Sequence, residues 1–157
     1  MTQNSDEWIS ATREDISIIL ALMREFYAEE GLIYREDLFS RALAELLSDE
    51  SLGTVFLLRE GSCTHGYCVG SFGFSLEFGG RFVLLDELYL TPSTRGRGEG
   101  KRALAVLEAW ALKRNAMATR LEVNHHNQKA LGIYLKQGYI NDDRRILTKS
   151  FCPAWCG

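Results

Sequence analysis

Residues 84–107, LLDELYLTPSTRGRGEGKRALAVL, constrain the fold more than any other stretch of the chain. They predict an apolar strand, an Arg- and Gly-rich turn at 95–101, and then an amphipathic helix. Glycine lets a backbone come close to a ligand and take φ > 0 without a Cβ clash. The first amides of the following helix have no partners inside it and sit at the positive end of its dipole. Such a turn suits a phosphate or pyrophosphate. Arg95, Arg97, Lys101 and Arg102 add positive side chains around it.

Three phosphate-binding patterns compete for this turn. A P-loop needs a Gly five residues before the Gly of Gly-Lys, with Ser or Thr after the Lys. Here Gly100-Lys101 is followed by Arg102, so that pattern fails. A dinucleotide fingerprint is met in letters by Gly98-x-Gly100-x-x-Ala103, with Glu122 at a distance suited to a ribose hydroxyl. It needs its first Gly tight against the strand, and Thr91-Pro92-Ser93-Thr94 intervenes. It also needs repeated βαβ units, which the rest of the chain lacks.

The third pattern is Arg95-x-x-Gly98-x-Gly100, directly after a Leu-Tyr-Leu strand and a Pro. It resembles the acetyl-CoA-binding signature of the Gcn5-related N-acetyltransferase (GNAT) superfamily. A second block, Asn127-x-x-Ala130-x-x-x-Tyr134-x-x-x-Gly138-Tyr139, resembles the later motif of that family, whose Asn and Tyr flank the thioester. The resemblance spans nearly the whole chain and is strongest over 83–139. Residues 142–149 resemble the family's closing strands, so two short final strands are expected.

Length and composition suit one domain over 1–157, large enough for a substantial core. Hydrophobic residues make up 46% and charged residues 25%, as in ordinary globular proteins. A net charge of −3 gives no basic field for nucleic acid. Apolar runs are short, so neither a membrane span nor a signal peptide is expected, and cytoplasm is the default. Cys63 and Cys68, and Cys152 and Cys156, lack the paired spacing of zinc sites and are expected to be reduced thiols, with no metal. His125-His126 is expected to mark a strand end, since strand neighbours face opposite ways.

Along the chain, a strand at 8–11 leads to a helix capped by Thr12, with Ile16, Ile19, Leu20, Met23 and Phe26 at helical spacing and Gly31 as its stop. A second helix is expected at 36–47. Strands follow at 54–59, 67–76 and 81–90, with turns at 61–66 and 78–80. Gly70 and Gly73 suggest a bulge or a close approach by another backbone. A helix at 98–115, a strand at 119–124 and a helix at 128–137 complete the order. This predicts an α/β fold with a mixed, mostly antiparallel central sheet and helices on both faces. The resemblance implies the acyl-CoA N-acyltransferase fold, splayed between its two central strands, and dimers as often found in the family.

The resemblance also implies a site. Backbone groups of Leu88, Tyr89 and Leu90 would bind pantetheine. Gly96, Arg97, Gly98, Gly100 and Lys101 would hold the pyrophosphate of acetyl-CoA, the cosubstrate. Arg95 would meet the phosphates or anchor the loop, and Asn127 would contact the cofactor or cap its helix. Tyr134 would protonate the CoA thiolate or pack against pantetheine.

The acceptor would be a primary amine on a small molecule or a protein. An amine of pKa near 10.4 is uncharged only to about a thousandth near neutral pH, a cost of about 4 kcal/mol. A carboxylate that takes its proton is therefore needed. Glu87 is the candidate base for direct attack, with Asp86 as rival on the opposite face. Phe26, Tyr27, Glu29, Glu30 and Tyr34, with Phe72, Phe74, Glu77 and Phe78, are candidate acceptor residues that suit a cation. Two function classes remain at this point: an acetyl-CoA-dependent N-acetyltransferase, and a non-catalytic acyl-CoA-binding regulatory module.

Overall fold

The computed structural model describes residues 6–152. The chain forms two compact units, Met1–Glu122 and Val123–Gly157. The first carries a five-stranded sheet in the order β1-β2-β3-β4-β5, antiparallel except for the parallel pair β4–β5. The strands are β1 (Glu7–Ser10), β2 (Gly53–Glu60), β3 (Cys63–Ser75), β4 (Gly80–Leu90) and β5 (Thr119–Leu121). Helices α1 (Ile16–Glu29), α2 (Glu36–Leu46) and α3 (Glu99–Lys113) complete this unit.

Local sequence explains the boundaries. The Thr12 amide donates to Asp15 Oδ2 at 2.8 Å, and Asp15 N donates to the Thr12 carbonyl at 3.0 Å. This box starts a 3-10 turn that runs into α1, and Gly31 ends the helix in the left-handed region at φ 66°. Ile19, Leu22 and Met23 of α1 and Leu43 of α2 pack on Val55, Leu57, Tyr67, Val69 and Tyr89 of the sheet. Full burial of a side chain such as Ile19 contributes roughly 1.5–3 kcal/mol.

The opposite face takes α3. A Cβ added to Gly70 would lie 2.4 Å from Leu107 Cδ1, so the bare backbone lets α3 seat against β3. Gly73 likewise makes room for the Phe82 ring, which an added Cβ would meet at 2.4 Å. A register shift falls between Val69 and Gly70, and leaves Asp86 as the extra residue of β4.

Three expectations change. The turn at 61–66 is shorter, because Cys63 and Thr64 pair with Glu60 and Arg59 past a second register shift and so join β3. The strand at 119–124 narrows to Thr119–Leu121, the stretch that finds partners on β4. The two closing strands at 142–149 are not formed: no ladder involves these residues, and Ile146 and Leu147 are 62% and 92% exposed. Strand-like composition did not find a partner edge there.

The second unit holds α4 (Gln128–Lys136), which ends at Gly138 with φ 92°. His125 and His126 lie in an exposed turn rather than at a strand end. Among the described residues, Cys63, Cys68 and Cys152 are free thiols, and Cys156 lies outside them. No helix among those described is long and apolar enough to cross a membrane.

Candidate active site

The ladder between β4 and β5 covers only Val83–Leu85 against Thr119–Leu121, while β4 continues to Leu90. On its other side β4 remains paired with β3 as far as Leu90–Gly66. Thr91 N donates to the His65 carbonyl at 2.8 Å, which sets the alternation along this ladder. Tyr89 therefore directs its backbone groups at β3, and Leu88 and Leu90 direct theirs away from it. Of the three backbone positions expected to hold pantetheine, Leu88 offers its main chain to the β5 side and Leu90 its amide, the Leu90 carbonyl already accepting from Arg95. Tyr89 contributes its side chain to the α1 face instead.

The glycine turn follows. Gly96 and Gly98 take φ 76° and 83°, conformations that favour glycine. Gly98 is the N-cap of α3 and makes no side-chain cap, so the first-turn amides of the helix receive no capping side chain. Gly100 is more telling. It lies inside the helix, where a Gly costs up to about 1 kcal/mol relative to Ala. A Cβ there would meet nothing within 4 Å, so the protein's own packing does not require a glycine. Room beside an uncapped helix start suits a pyrophosphate, and these residues fit that group.

The four basic residues divide sharply. Arg95 Nε donates to the Leu90 carbonyl at 2.9 Å and its Nη2 to Glu29 at 2.6 Å, and the guanidinium lies 5.6 Å from the Tyr89 ring centroid. This is the loop-anchoring one of its two readings. Arg102 donates to Glu99 at 2.7 Å and to the Asp6 carbonyl at 2.8 Å. The buried Glu99 also accepts from Trp8 Nε1 at 3.1 Å, which ties the start of α3 to β1. Arg97 is exposed at the turn and Lys101 in the first turn of α3; among the described residues neither makes an ion pair.

Glu87 follows the bulge, where the β4–β5 ladder has ended. Its side chain is half-buried on the α1 face. Oε1 accepts from Tyr27 Oη at 2.6 Å and Oε2 from Tyr67 Oη at 2.8 Å. Burial raises its proton affinity above the ordinary carboxylate value, and the two phenols oppose that rise. Burial and the adjacent Glu87 carboxylate keep both phenols protonated, with their pKa values driven above the normal tyrosine range. Asp86 is exposed at the bulge. Only Glu87 is therefore gathered into a network.

Sequence reasoning missed Tyr67, and it valued Tyr27 only as an acceptor contact. These residues lie 20 and 60 positions from Glu87, and only the fold joins them. The other expected acceptor residues separate. Phe26, Tyr27 and Tyr34 belong to one aromatic cluster with Phe39, Tyr67 and Tyr89. Phe72 instead stacks on Trp110 of α3 at 4.9 Å, and Phe78 packs on Phe82. Phe74 is 71% exposed. The hairpin aromatics do not share the Glu87 site.

In the second unit, Asn127 Oδ1 accepts from Ala130 N at 3.1 Å, the cap reading of this residue. Tyr134 packs edge-on against Tyr139, with centroids 5.9 Å apart.

Comparison with known proteins settles the family. The model of the Acetyltransferase (GNAT) family matches residues 17–139. The chain belongs to this family. It is an N-acetyltransferase. It is 29% identical over 119 residues to the uncharacterized N-acetyltransferase YhfO of Bacillus subtilis (strain 168), covering 76% of this chain and 77% of that one. Among solved structures, the acetyltransferase fold superposes on the integron cassette protein HFX_CASS3, from the mobile metagenome of Cole Harbour Salt Marsh. The TM-score is 0.83 at 30% identity, covering 93% of this chain and 91% of that one. The fold is shared, at 15% identity and a TM-score of 0.79, with AAC(6')-Iy, solved with a CoA-linked acetylneamine bisubstrate analog; the match covers 94% of this chain and 99% of that one.

Proposed function

We propose that this acetyltransferase moves the acetyl group of acetyl-CoA to a primary amine by direct attack. Acetyl-CoA supplies the acetyl group as a thioester. The uncapped start of α3 and the side chains of Arg97 and Lys101 bind its pyrophosphate, with Gly96, Gly98 and Gly100 leaving it room. Leu88 and Leu90 hold pantetheine by main-chain hydrogen bonds, in the manner of an added strand. The observation that carries this reading is Gly100, a helix glycine that neither strain nor packing demands.

Glu87 accepts a proton from the attacking amine nitrogen, and Tyr134 gives the proton of its hydroxyl to the sulfur as the C–S bond breaks. A phenol of pKa near 10 suits a leaving thiol near 8.5. What supports Glu87 is its position just beyond the last β4–β5 pair. What supports Tyr134 is its spacing from Asn127 in the family's second block. AAC(6')-Iy is an aminoglycoside N-acetyltransferase, solved with the bisubstrate analog CoA-S-monomethyl-acetylneamine. Aminoglycosides therefore join polyamines, amino acids and lysine-containing peptides as acceptors to test here.

The test is thiol release from acetyl-CoA across that amine panel, together with calorimetric binding of CoA. Turnover with at least one amine class, and CoA affinity weakened by Arg97→Glu, is the expected result. Acetyl-CoA binding without turnover of any amine would overturn the catalytic assignments. Unchanged affinity in Arg97→Glu would overturn the placement of the pyrophosphate.

A further inference from the structure

Glu87 carries an unusual surrounding for a residue on a core strand. It sits opposite Val69 on the face that packs against α1, and both of its oxygens are engaged by phenols from two other elements. An apolar side chain would fill this position without the cost of burying a carboxylate. We propose that Tyr27 and Tyr67 are positioning residues for acetyl transfer, clamping the two oxygens of Glu87 so that the carboxylate stays ionised and aimed to receive the amine proton. This rests on the reading of Glu87 as the base.

The geometry permits both jobs. A carboxylate oxygen has two lone pairs. Tyr27 takes one on Oε1 and Tyr67 takes one on Oε2, which leaves one on each oxygen for the incoming proton. The donors themselves do not turn over: both phenol O–H bonds stay intact, and the only proton transferred here goes from the amine nitrogen to a free Glu87 lone pair. Tyr67 is fully buried and fixed by the core, whereas Tyr27 is half-buried between the sheet and Phe39 of α2, with ring centroids 5.0 Å apart.

The charged and titratable surroundings of Glu87 are few. Asp86 lies beside it on β4 and raises its proton affinity, and Tyr67 faces it from β3 and Tyr27 from α1. Glu25 and Glu29 of α1 are gathered instead around the Tyr89 hydroxyl, at 3.1 Å each, and Arg95 pairs with Glu29. No cation among these groups holds Glu87 ionised. The two phenols do so.

The experiment reads the protonation midpoint of Glu87 by carbon-13 NMR of the side-chain carboxyl. The proteins are the full chain, Tyr27→Phe and Tyr67→Phe. Kinetics are followed beside it as the acidic limb of kcat/KM, with acetyl-CoA and the panel amine turned over fastest. Removing a donor to the charged form should raise the midpoint by about one pH unit or more. The acidic limb should rise with it, and activity should recover at higher pH. A merely structural tyrosine would lower the rate at every pH and leave the limb in place. A raised midpoint with an unmoved limb would support the clamp and remove Glu87 from the role of base. An unmoved midpoint in whichever of the two variants folds would overturn the inference.

Discussion

Burial raises the proton affinity of Glu87 above that of a free glutamate, as the proposed role of taking a proton from an amine requires. The same burial weakens the fold. A folded-state pKa above the unfolded value means that the stability tied to this group is intact below the unfolded value near 4.3 and is lost as pH rises through the folded one. Glu87→Gln keeps only one accepting oxygen for the two phenols, but its unfolding temperature should rise relative to the parent's as pH goes from 4 to 7. The same variant should lose about 10²–10⁴-fold in kcat. Calorimetry across pH and turnover measurements check the pair, and a variant that shows no relative gain from pH 4 to 7 and keeps its activity would contradict both. Sequence alone named Glu87 and Asp86 as rivals. It preferred Glu87 but left open which of the two faces the acceptor, because the bulge that takes Asp86 out of the alternation arises from the register of β3, not from residues near 86.

At the level of elements, the turn and helix after β4 were legible because their chemistry is local. Glycines, basic residues and an apolar stripe lie within one short stretch, and α3 begins one residue from where the pattern predicts. A prediction separates ligand from packing. Gly100→Ala should raise the melting temperature, since alanine favours the helix by up to about 1 kcal/mol and its Cβ meets no protein atom. It should also weaken acetyl-CoA binding tenfold or more, as titration calorimetry would reveal; binding at parental strength would mean the space at Gly100 is not used by the ligand. Gly66→Ala makes the opposite case. Its Cβ would press to 2.5 Å on the Tyr89 carbonyl oxygen, and a loss of about 1–3 kcal/mol in denaturant unfolding is expected. The expected strands at 142–149 failed for a reason no local pattern reveals: a strand exists only where another edge accepts it, and these residues form no ladder.

For the molecule as a whole, the order of helices and strands through α4 followed from periodicity, and with it a mostly antiparallel sheet covered on both faces. The clustering of Tyr27, Tyr67 and Glu87 did not, since it needs α1, β3 and β4 in register at once. Whole-molecule opening has a built-in reporter. Cys68 is completely buried and its thiol is pushed up to about 12, while Cys63 is exposed. A thiol reagent near neutral pH should modify Cys63 quickly and Cys68 only at the rate or population of unfolding. Peptide mapping of the labelled protein checks this, and early labelling of Cys68 under native conditions would refute it.

Trp8 and Arg102 both donate to Glu99, and so join the outermost strand to the root of α3. Shortening the chain past Trp8 would take away more than a peripheral ribbon. It would leave a buried acid short of a donor at the start of α3, so under the proposed placement of the diphosphate, damage at the far margin of the sheet would be felt as poorer grip on the acetyl donor.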